Sequence, residues 1–274
     1  MAALQFGTII VVGGGCYGSY YARQLRRARA AGKVGWRDLV VVDRDAACRV
    51  ASEIAGDATA RIPRDAGAAH DGPWDSARVV VREWTSFFAE YLAGAVAQPD
   101  LHARDTVVPS PLIPHLLFEW LRDRARARPN GADIVGDVPG ELADVPWQRP
   151  GTDGTRYVSY ATWTCPVNCI EPKKCPHTGG ARDWSFHTSL VPLARASTGA
   201  ASAARMPAAD VGPHTAVLRV THRTFGVGMI DVADVVAADT LVARSLEVDG
   251  AVRVATASHC HGAVAGLRRV AASM

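Results

Sequence analysis

The chain contains little cysteine for its length, with only six cysteines in 274 residues. Disulfide-stapled secreted domains are far richer in cysteine, so this class of scaffold is excluded. The apolar run at residues 9–12 is short and no basic segment precedes it, which predicts no secretory signal. We therefore expect a cytoplasmic protein, where clustered cysteines stay reduced and bind metal or carry out redox chemistry.

Long apolar runs and a strong net charge are also missing. No stretch approaches the roughly 20 apolar residues that a membrane-spanning helix needs, so we expect no membrane insertion. The formal net charge is only +3 and the arginines are dispersed, which gives no support for nucleic-acid binding. A chain of 274 residues is long enough for two domains with apolar cores.

A strand, a glycine-rich turn, a helix and a second strand follow one another near the start of the chain. Residues 8–12 predict a buried parallel strand, residues 17–30 a helix, and residues 39–42 a second strand. The turn has the spacing G-x-G-x-x-G, with its glycines at Gly13, Gly15 and Gly18. This order is typical of dinucleotide binding, because such a turn brings the backbone and a helix N-terminus close to a pyrophosphate.

Asp43 and Arg44 follow the second strand and bear on the choice of nucleotide. Asp43 would accept hydrogen bonds from the hydroxyl groups of an adenosine ribose. Arg44 could pair with a 2′-phosphate, so NAD and NADP are both candidate cofactors. Enzymes that use S-adenosylmethionine also combine a glycine loop with an acid after the second strand, and this alternative stays open.

The segment VVGGGCYGSYYARQL, followed by VVVDRD, resembles the NAD(P)-binding Rossmann superfamily. It is most similar to the nucleotide domains of potassium-uptake regulators of the TrkA type, and more distantly to siroheme-synthase dehydrogenases. The resemblance covers roughly the first 55 residues and implies a Rossmann-like, mostly parallel sheet. Cys16, inside the glycine loop, departs from the family pattern. The nucleotide contacts that the resemblance implies are Gly13, Gly15, Gly18 and Asp43.

His115 is a candidate catalytic residue in the next part of the chain. Residues 106–109 predict a strand, and residues 110–128 predict a helix with His115 in its first turn but off its apolar stripe. If the strand belongs to the sheet, His115 stands near its carboxyl end, where open α/β sheets bind ligands. There it could act as a proton acceptor. A surface or capping histidine is the simpler interpretation. Further predicted elements are strand 78–82 and helix 85–97.

A segment rich in glycine, proline and aspartate begins at residue 129 and predicts a domain boundary. We expect a dinucleotide-binding domain over residues 1–128 and a smaller α+β domain over residues 129–274. In the second domain the predicted strands are 156–161, 216–221 and 251–257, and the predicted helix is 232–246.

Three cysteines lie within the stretch TWTCPVNCIEPKKCPHTGG, and a fourth follows the last predicted strand. Cys165, Cys169 and Cys175 have the spacing C-x3-C-x5-C, with proline after the first and the third. Three local ligands and one distant ligand commonly complete a four-coordinate metal site. The predicted ligands are Cys165, Cys169, Cys175 and Cys260, and His177, His259 or His261 could replace Cys260.

The spacing of these cysteines favours an iron–sulfur cluster over zinc. Zinc sites prefer C-x2-4-C pairs and the C-x3-C-x5-C spacing as a whole matches no established zinc pattern, whereas Cys-Pro recurs in iron–sulfur loops. Thiolate ligands suit both, so zinc stays an alternative. Three buried structural cysteines in a proline-rich loop are the interpretation without a metal.

Two functions agree with these motifs. The first is an NAD(P)-dependent oxidoreductase or redox subunit with a cysteine-ligated cluster. A hydride carries two electrons and a cluster takes one, so a flavin from a redox partner subunit would be needed; a homo-oligomer is the other expected assembly. The second is a nucleotide-sensing regulatory or interaction protein with structural zinc. We favour the first, because His115 and the segment SHCHG add reactive groups.

Overall fold

A computed structural model of the chain describes residues 2–59, 74, 76–166, 169–186, 190 and 215–270. The chain divides into two compact units. The first unit comprises Met1–Ile113 and Thr221–Val236, and the second comprises Pro114–Val220 and Ala237–Met274. The sequence predicted a single boundary after residue 128, whereas these units divide after residue 113 and the chain returns to the first unit at residue 221.

The described residues form twelve strands, five α-helices and one 3-10 turn at Pro99–His102. The strands are β1 (Leu4–Val12), β2 (Val34–Asp43), β3 (Ala77–Val81), β4 (Thr106–Val108), β5 (Ile134–Asp137), β6 (Trp147–Pro150), β7 (Arg156–Ser159), β8 (Thr215–Arg219), β9 (Thr221–Thr224), β10 (Val227–Asp231), β11 (Ala251–Ala257) and β12 (His261–Arg269). The helices are α1 (Cys16–Ala30), α2 (Arg49–Thr59), α3 (Trp84–Ala97), α4 (Leu116–Ala127) and α5 (Val232–Val248). None of the described helices is long and apolar enough to cross a membrane.

The first unit contains a mixed sheet with the strand order β3-β2-β1-β4-β10-β9. The strands β3, β2, β1 and β4 are parallel, and β10 and β9 continue the sheet in antiparallel fashion. The central strand β1 is fully buried at Ile9, Ile10 and Val11, as expected for a parallel strand covered on both faces. Leu25 of α1 packs into the same apolar core.

The second unit contains a second mixed sheet, ordered β6-β7-β12-β11-β8, with β5 also paired to β12. The strands β11 and β8 are parallel, and the other pairs are antiparallel. Its core includes Val158, Phe186, Ala255 and Val264. The predicted α/β class is therefore confirmed, in the form of two mixed sheets with helices.

The helix predicted from residue 110 begins later, at Leu116. Proline at position 114 disfavours a helical backbone at the residue before it, so the preceding segment forms turns instead. The Ser110 side chain accepts the N–H of Leu112 at 3.3 Å within such a turn. His115 occupies the N-cap position of α4, without a side-chain capping bond.

Candidate functional site

The glycine loop lies in the first unit, between the carboxyl end of β1 and the start of α1. Gly13 has φ +84°, a left-handed conformation that favours glycine. A Cβ atom on Gly18 would lie 1.6 Å from the carbonyl oxygen of Gly13, so the helix and the turn approach too closely for any side chain. A Cβ atom on Gly15 would meet nothing within 4 Å. The loop therefore has a closely packed side and an open side.

Asp43 holds the glycine loop in place from the end of β2. One carboxylate oxygen accepts the backbone N–H of Gly14 at 2.6 Å, and the other accepts the N–H of Asp45 at 2.9 Å. Each oxygen can accept a further hydrogen bond, as a ribose hydroxyl would require. Arg44 is exposed. The sequence predicted a ribose contact for Asp43 but missed this supporting role.

The Trp84 side chain packs beside the glycine loop, and it was not singled out from the sequence. Its indole N–H donates to the carbonyl oxygen of Val42 at 2.9 Å. A Cβ atom on Gly13 would lie 3.5 Å from the Trp84 ring. Helix α1 begins at Cys16, which is exposed, and its first turn carries neither an acidic residue nor a side-chain cap. Unpaired N–H groups at such a helix start favour an anion.

The cysteine loop lies in the second unit and turns tightly at Cys175. The Cys175 carbonyl oxygen accepts the N–H of Gly179, and the Cys175 N–H donates to the Gly180 carbonyl oxygen, each at 2.9 Å. Hydrogen bonds to the sulfur, first from the Thr178 backbone N–H and also from that of His177, hold the pKa of Cys175 below its usual value. The turn thus favours a thiolate at Cys175.

Cys260 lies in the connection between β11 and β12. Its pKa is raised above the usual value, chiefly by burial. Two donors oppose this effect: the Trp184 indole N–H lies 3.4 Å from the Cys260 sulfur, and the Arg182 side chain also donates to the sulfur. Trp184 and Arg182 are therefore donors that would stabilise the Cys260 sulfur as an anion.

Cys165 lies near the other three predicted ligands. Burial, together with smaller contributions from the charges of Cys169, Cys260 and Cys175 when ionised, raises its pKa to about 11. Cys165 therefore lies within electrostatic range of each of the other three thiols. Nevertheless, the described residues contain no group of three or more Cys, His, Asp or Glu placed to hold a metal ion. The structure brings the four side chains into one neighbourhood without arranging them as a ligand shell.

Glu171 fastens the cysteine loop to the connection that carries Cys260. Its buried carboxylate accepts the hydroxyl of Ser258 at 2.6 Å, the N–H of His259 at 2.8 Å and the N–H of Cys260 at 3.1 Å. These partners are 87 to 89 residues away along the chain. Sequence reasoning missed Glu171. The one local signal for it is that its acidic side chain lies two positions after Cys169.

We expect Glu171→Ala to lower the free energy of unfolding of the reduced, metal-free protein by about 2 kcal/mol or more, because it leaves buried donors without their acceptor. The matched control is Glu141→Ala, since the Glu141 side chain is 82% exposed. That change should stay within about 0.5 kcal/mol. Urea unfolding measures the stability of both variants. Equal effects would show that the hydrogen bonds of Glu171 do not stabilise the fold.

The three histidines considered as alternative ligands have their own contacts. Nδ1 of His259 lies 3.0 Å from the Ser185 hydroxyl, and Nδ1 of His261 lies 2.9 Å from the Ser159 hydroxyl. The His177 ring stacks on Trp163, with ring centroids 5.0 Å apart. A ligating histidine commonly engages its second nitrogen in such a hydrogen bond, so the Nδ1 contacts of His259 and His261 are compatible with a ligand role.

His115 belongs to the second unit and is buried there. Its Nδ1 lies 3.0 Å from the Thr256 hydroxyl, and its ring stacks on Phe118 with centroids 4.7 Å apart. Nε2 is buried without a hydrogen-bond partner among the described residues. Burial lowers the pKa of His115 to about 3, and the Asp153 charge opposes this shift. The imidazole is therefore neutral near pH 7, and its catalytic role stays a prediction.

The buried His115 predicts loss of stability in mild acid. Below its usual pKa of 6.5 the unfolded chain binds a proton at this site, whereas the folded protein stays neutral down to about pH 3. The free energy of unfolding should fall by about 1.4 kcal/mol per pH unit in this window. Between pH 7.5 and pH 5.0, the free energy of unfolding should fall by about 2 kcal/mol less in His115→Asn than in the wild type. An equal fall in the free energy of unfolding in both proteins would contradict this effect of His115.

Comparisons with known proteins identify the second half of the chain. No curated protein and no solved structure matches the sequence. A family model, AF_1314_C, with the description "Uncharacterized protein, C-terminal domain", matches residues 117–270, more than half of the 274 residues. The match includes all four cysteines of the candidate metal site and excludes the glycine loop. The chain belongs to the AF_1314_C family.

Proposed function

We propose that the chain is an NAD(P)-binding redox protein, either an oxidoreductase or a subunit of one, with a metal centre in its second unit. The proposed ligands are Cys165, Cys169, Cys175 and Cys260, and the proposed centre is an iron–sulfur cluster, with zinc as the alternative. One observation carries the proposal: Cys165 lies within electrostatic range of the other three cysteines, although they are 4 to 95 residues away along the chain.

The surroundings of the sulfurs support a thiolate centre. Backbone N–H groups point at Cys175, and the Trp184 and Arg182 side chains donate to Cys260. Hydrogen bonds of this kind orient thiolate ligands and tune a bound metal or cluster. When bound, an iron–sulfur cluster would supply one-electron chemistry at this place.

The first unit supports the nucleotide part of the proposal. Its parallel strands follow the order β3-β2-β1-β4, which is the order in one half of a Rossmann-like domain. The glycine loop follows β1, where such domains place the pyrophosphate. The open side at Gly15 leaves room for it. Hydride transfer to a one-electron centre still requires a flavin, which we assign to a redox partner subunit.

A second function, nucleotide sensing with a structural zinc, is favoured by the shape of the cysteine loop. In its described part the loop contains only one isolated β-bridge, between Lys174 and Ala181. A loop with so little regular pairing gains order from a bound ion, as in structural zinc sites. Both functions use the same four ligands, so the identity of the metal separates them.

Anaerobic purification, followed by elemental analysis and an absorbance spectrum, tests the metal centre. Iron and sulfide, with broad visible absorption, are expected for the redox protein. One zinc ion per chain and a colourless sample would favour the regulatory alternative. A protein that carries neither metal, and takes up neither after reduction and reconstitution, would refute the centre.

We expect the first unit to bind NAD(H) at least as tightly as NADP(H). The Asp43 carboxylate would accept hydrogen bonds from free ribose hydroxyls and would repel a 2′-phosphate. Calorimetry with both cofactors measures the preference, and Arg44→Ala serves as the matched variant. Tighter binding of NADP(H), lost in Arg44→Ala, would contradict the expectation and assign the 2′-phosphate to Arg44.

A further inference from the structure

Phe225 is held in a strained backbone conformation at the two-residue turn between β9 and β10. Its φ is +44°, and the following Gly226 has φ +79°. Residues with a Cβ atom rarely adopt this left-handed region, and the first position of such a turn normally carries Gly, Asn or Asp. The Phe225 side chain is nevertheless 47% exposed. The turn therefore presents a large apolar side chain to solvent at a cost in backbone strain, a combination that is found at ligand-binding positions.

The β9–β10 turn lies at the same edge of the first sheet as the glycine loop. β4 runs parallel to β1, and Val108 pairs with Val11 near the carboxyl ends of both strands. β10 runs antiparallel to β4, with Ile230 opposite Val107, so the turn that precedes β10 lies beyond the carboxyl end of β4. Because β10 is two strands away from β1, the turn stands roughly 10 Å to the side of the glycine loop.

Leu112 adds a second exposed apolar side chain at this edge. It follows β4, in the turn that includes Ser110, and it is 71% exposed. Asp43 ends β2, on the opposite side of the glycine loop from β4 and β10. A dinucleotide with its pyrophosphate at the glycine loop and its adenosine ribose at Asp43 would therefore extend its other half over β4, towards Leu112 and Phe225.

We propose that Phe225, together with Leu112, forms an apolar subsite that contacts the nicotinamide ring of the bound dinucleotide. The proposal rests on the nucleotide site proposed above and specifies its ligand: a dinucleotide with a second flat ring rather than an adenosine compound alone. Ligand pockets are lined mainly by apolar and aromatic groups, and flat rings pair favourably with aromatic side chains. Contact would also remove the exposed apolar surface of Phe225 from water, which favours binding.

The test is a calorimetric titration of the full chain with NADH and, separately, with ADP-ribose, which lacks the nicotinamide ring. Phe225→Asn removes the aromatic ring and suits the left-handed turn, so the fold should be retained. It should weaken NADH binding about 10-fold and leave ADP-ribose binding unchanged. Phe225→Tyr keeps the ring and should bind NADH about as tightly as the wild type. Leu101→Ala is the matched control and should change neither affinity, since Leu101 is also exposed but precedes β4, at the other end of that strand.

Failure of the subsite and failure of the nucleotide site give different results. A wild-type chain that binds neither NADH nor ADP-ribose would refute the nucleotide site, and the subsite with it. Unchanged NADH affinity in Phe225→Asn would overturn the subsite alone. Equal weakening of both ligands in that variant would also overturn it, since Phe225 would then not act through the nicotinamide ring. Circular dichroism checks folding, and Leu112→Ala, which should weaken NADH binding selectively but less, replaces Phe225→Asn if the latter does not fold.

Discussion

Cys169→Ser is expected to remove most of the bound metal, whereas Cys48→Ser should leave the metal content unchanged. Cys169 is one of the three thiols that act on Cys165, so its loss opens the proposed ligand shell to water. Cys48 is buried in the first unit, where its sulfur would lie 2.3 Å from a Cβ atom on Gly14. Both changes remove one sulfur atom, but only the first removes a proposed ligand.

Metal loss should also loosen the second unit. A ligand set drawn from a loop and from a distant connection makes part of the binding free energy into folding free energy. We expect a lower unfolding temperature for Cys169→Ser than for the wild type, and no such shift when both proteins are stripped of metal. Elemental analysis and thermal unfolding measure the two effects. Normal metal content in Cys169→Ser would exclude Cys169 from the ligand set.

Cys260→Ser addresses the distant ligand separately. If the metal is lost, Cys260 completes the shell as proposed. If the metal is retained, one of His177, His259 and His261 takes the fourth position, as the sequence already allowed.

The strands were predictable where local chemistry alone determines them. β-branched side chains recur at every second position of residues 251–257, at Val252, Val254 and Thr256, and this predicted strand coincides with β11. The predicted strand 39–42 covers only the end of β2, which starts at Val34. The missed part is less regular in sequence, and it extends as a strand because it pairs with β1, from Leu4 onwards. Pairing of this kind is decided by the partner strand rather than by the segment itself.

The candidate metal site was predictable in its sulfurs but not in their surroundings. The spacing of Cys165, Cys169 and Cys175 is a local pattern, and it was visible at once. The contacts of Glu171 and Trp184 with the Cys260 connection join residues 76 to 89 positions apart. No local pattern encodes such a separation. The burial of His115 was missed for another reason. The sequence placed it in the first turn of the helix, off the apolar stripe, but α4 starts after it, at Leu116.

Gly15→Val should abolish nucleotide binding without destabilising the first unit. Gly15 has φ −77°, which any residue adopts, and a Cβ atom there meets nothing within 4 Å. The new side chain would instead occupy the open side of the loop, where a pyrophosphate would approach the backbone. Loss of two charge-assisted backbone hydrogen bonds would weaken binding about 100-fold or more.

Gly18→Ala is the contrasting variant, because its Cβ atom would collide with the carbonyl oxygen of Gly13. It should lower the unfolding temperature, whereas Gly15→Val should not. Calorimetry with NAD(H) and NADP(H) measures binding, and elemental analysis should show an unchanged metal content in Gly15→Val. Wild-type nucleotide affinity in Gly15→Val would show that the glycines serve only to pack α1 against β1. If Gly15→Val loses both nucleotide binding and thermal stability, the variant gives no support to the nucleotide site. If it loses binding at an unchanged unfolding temperature, the phosphates lie on the open side of the loop.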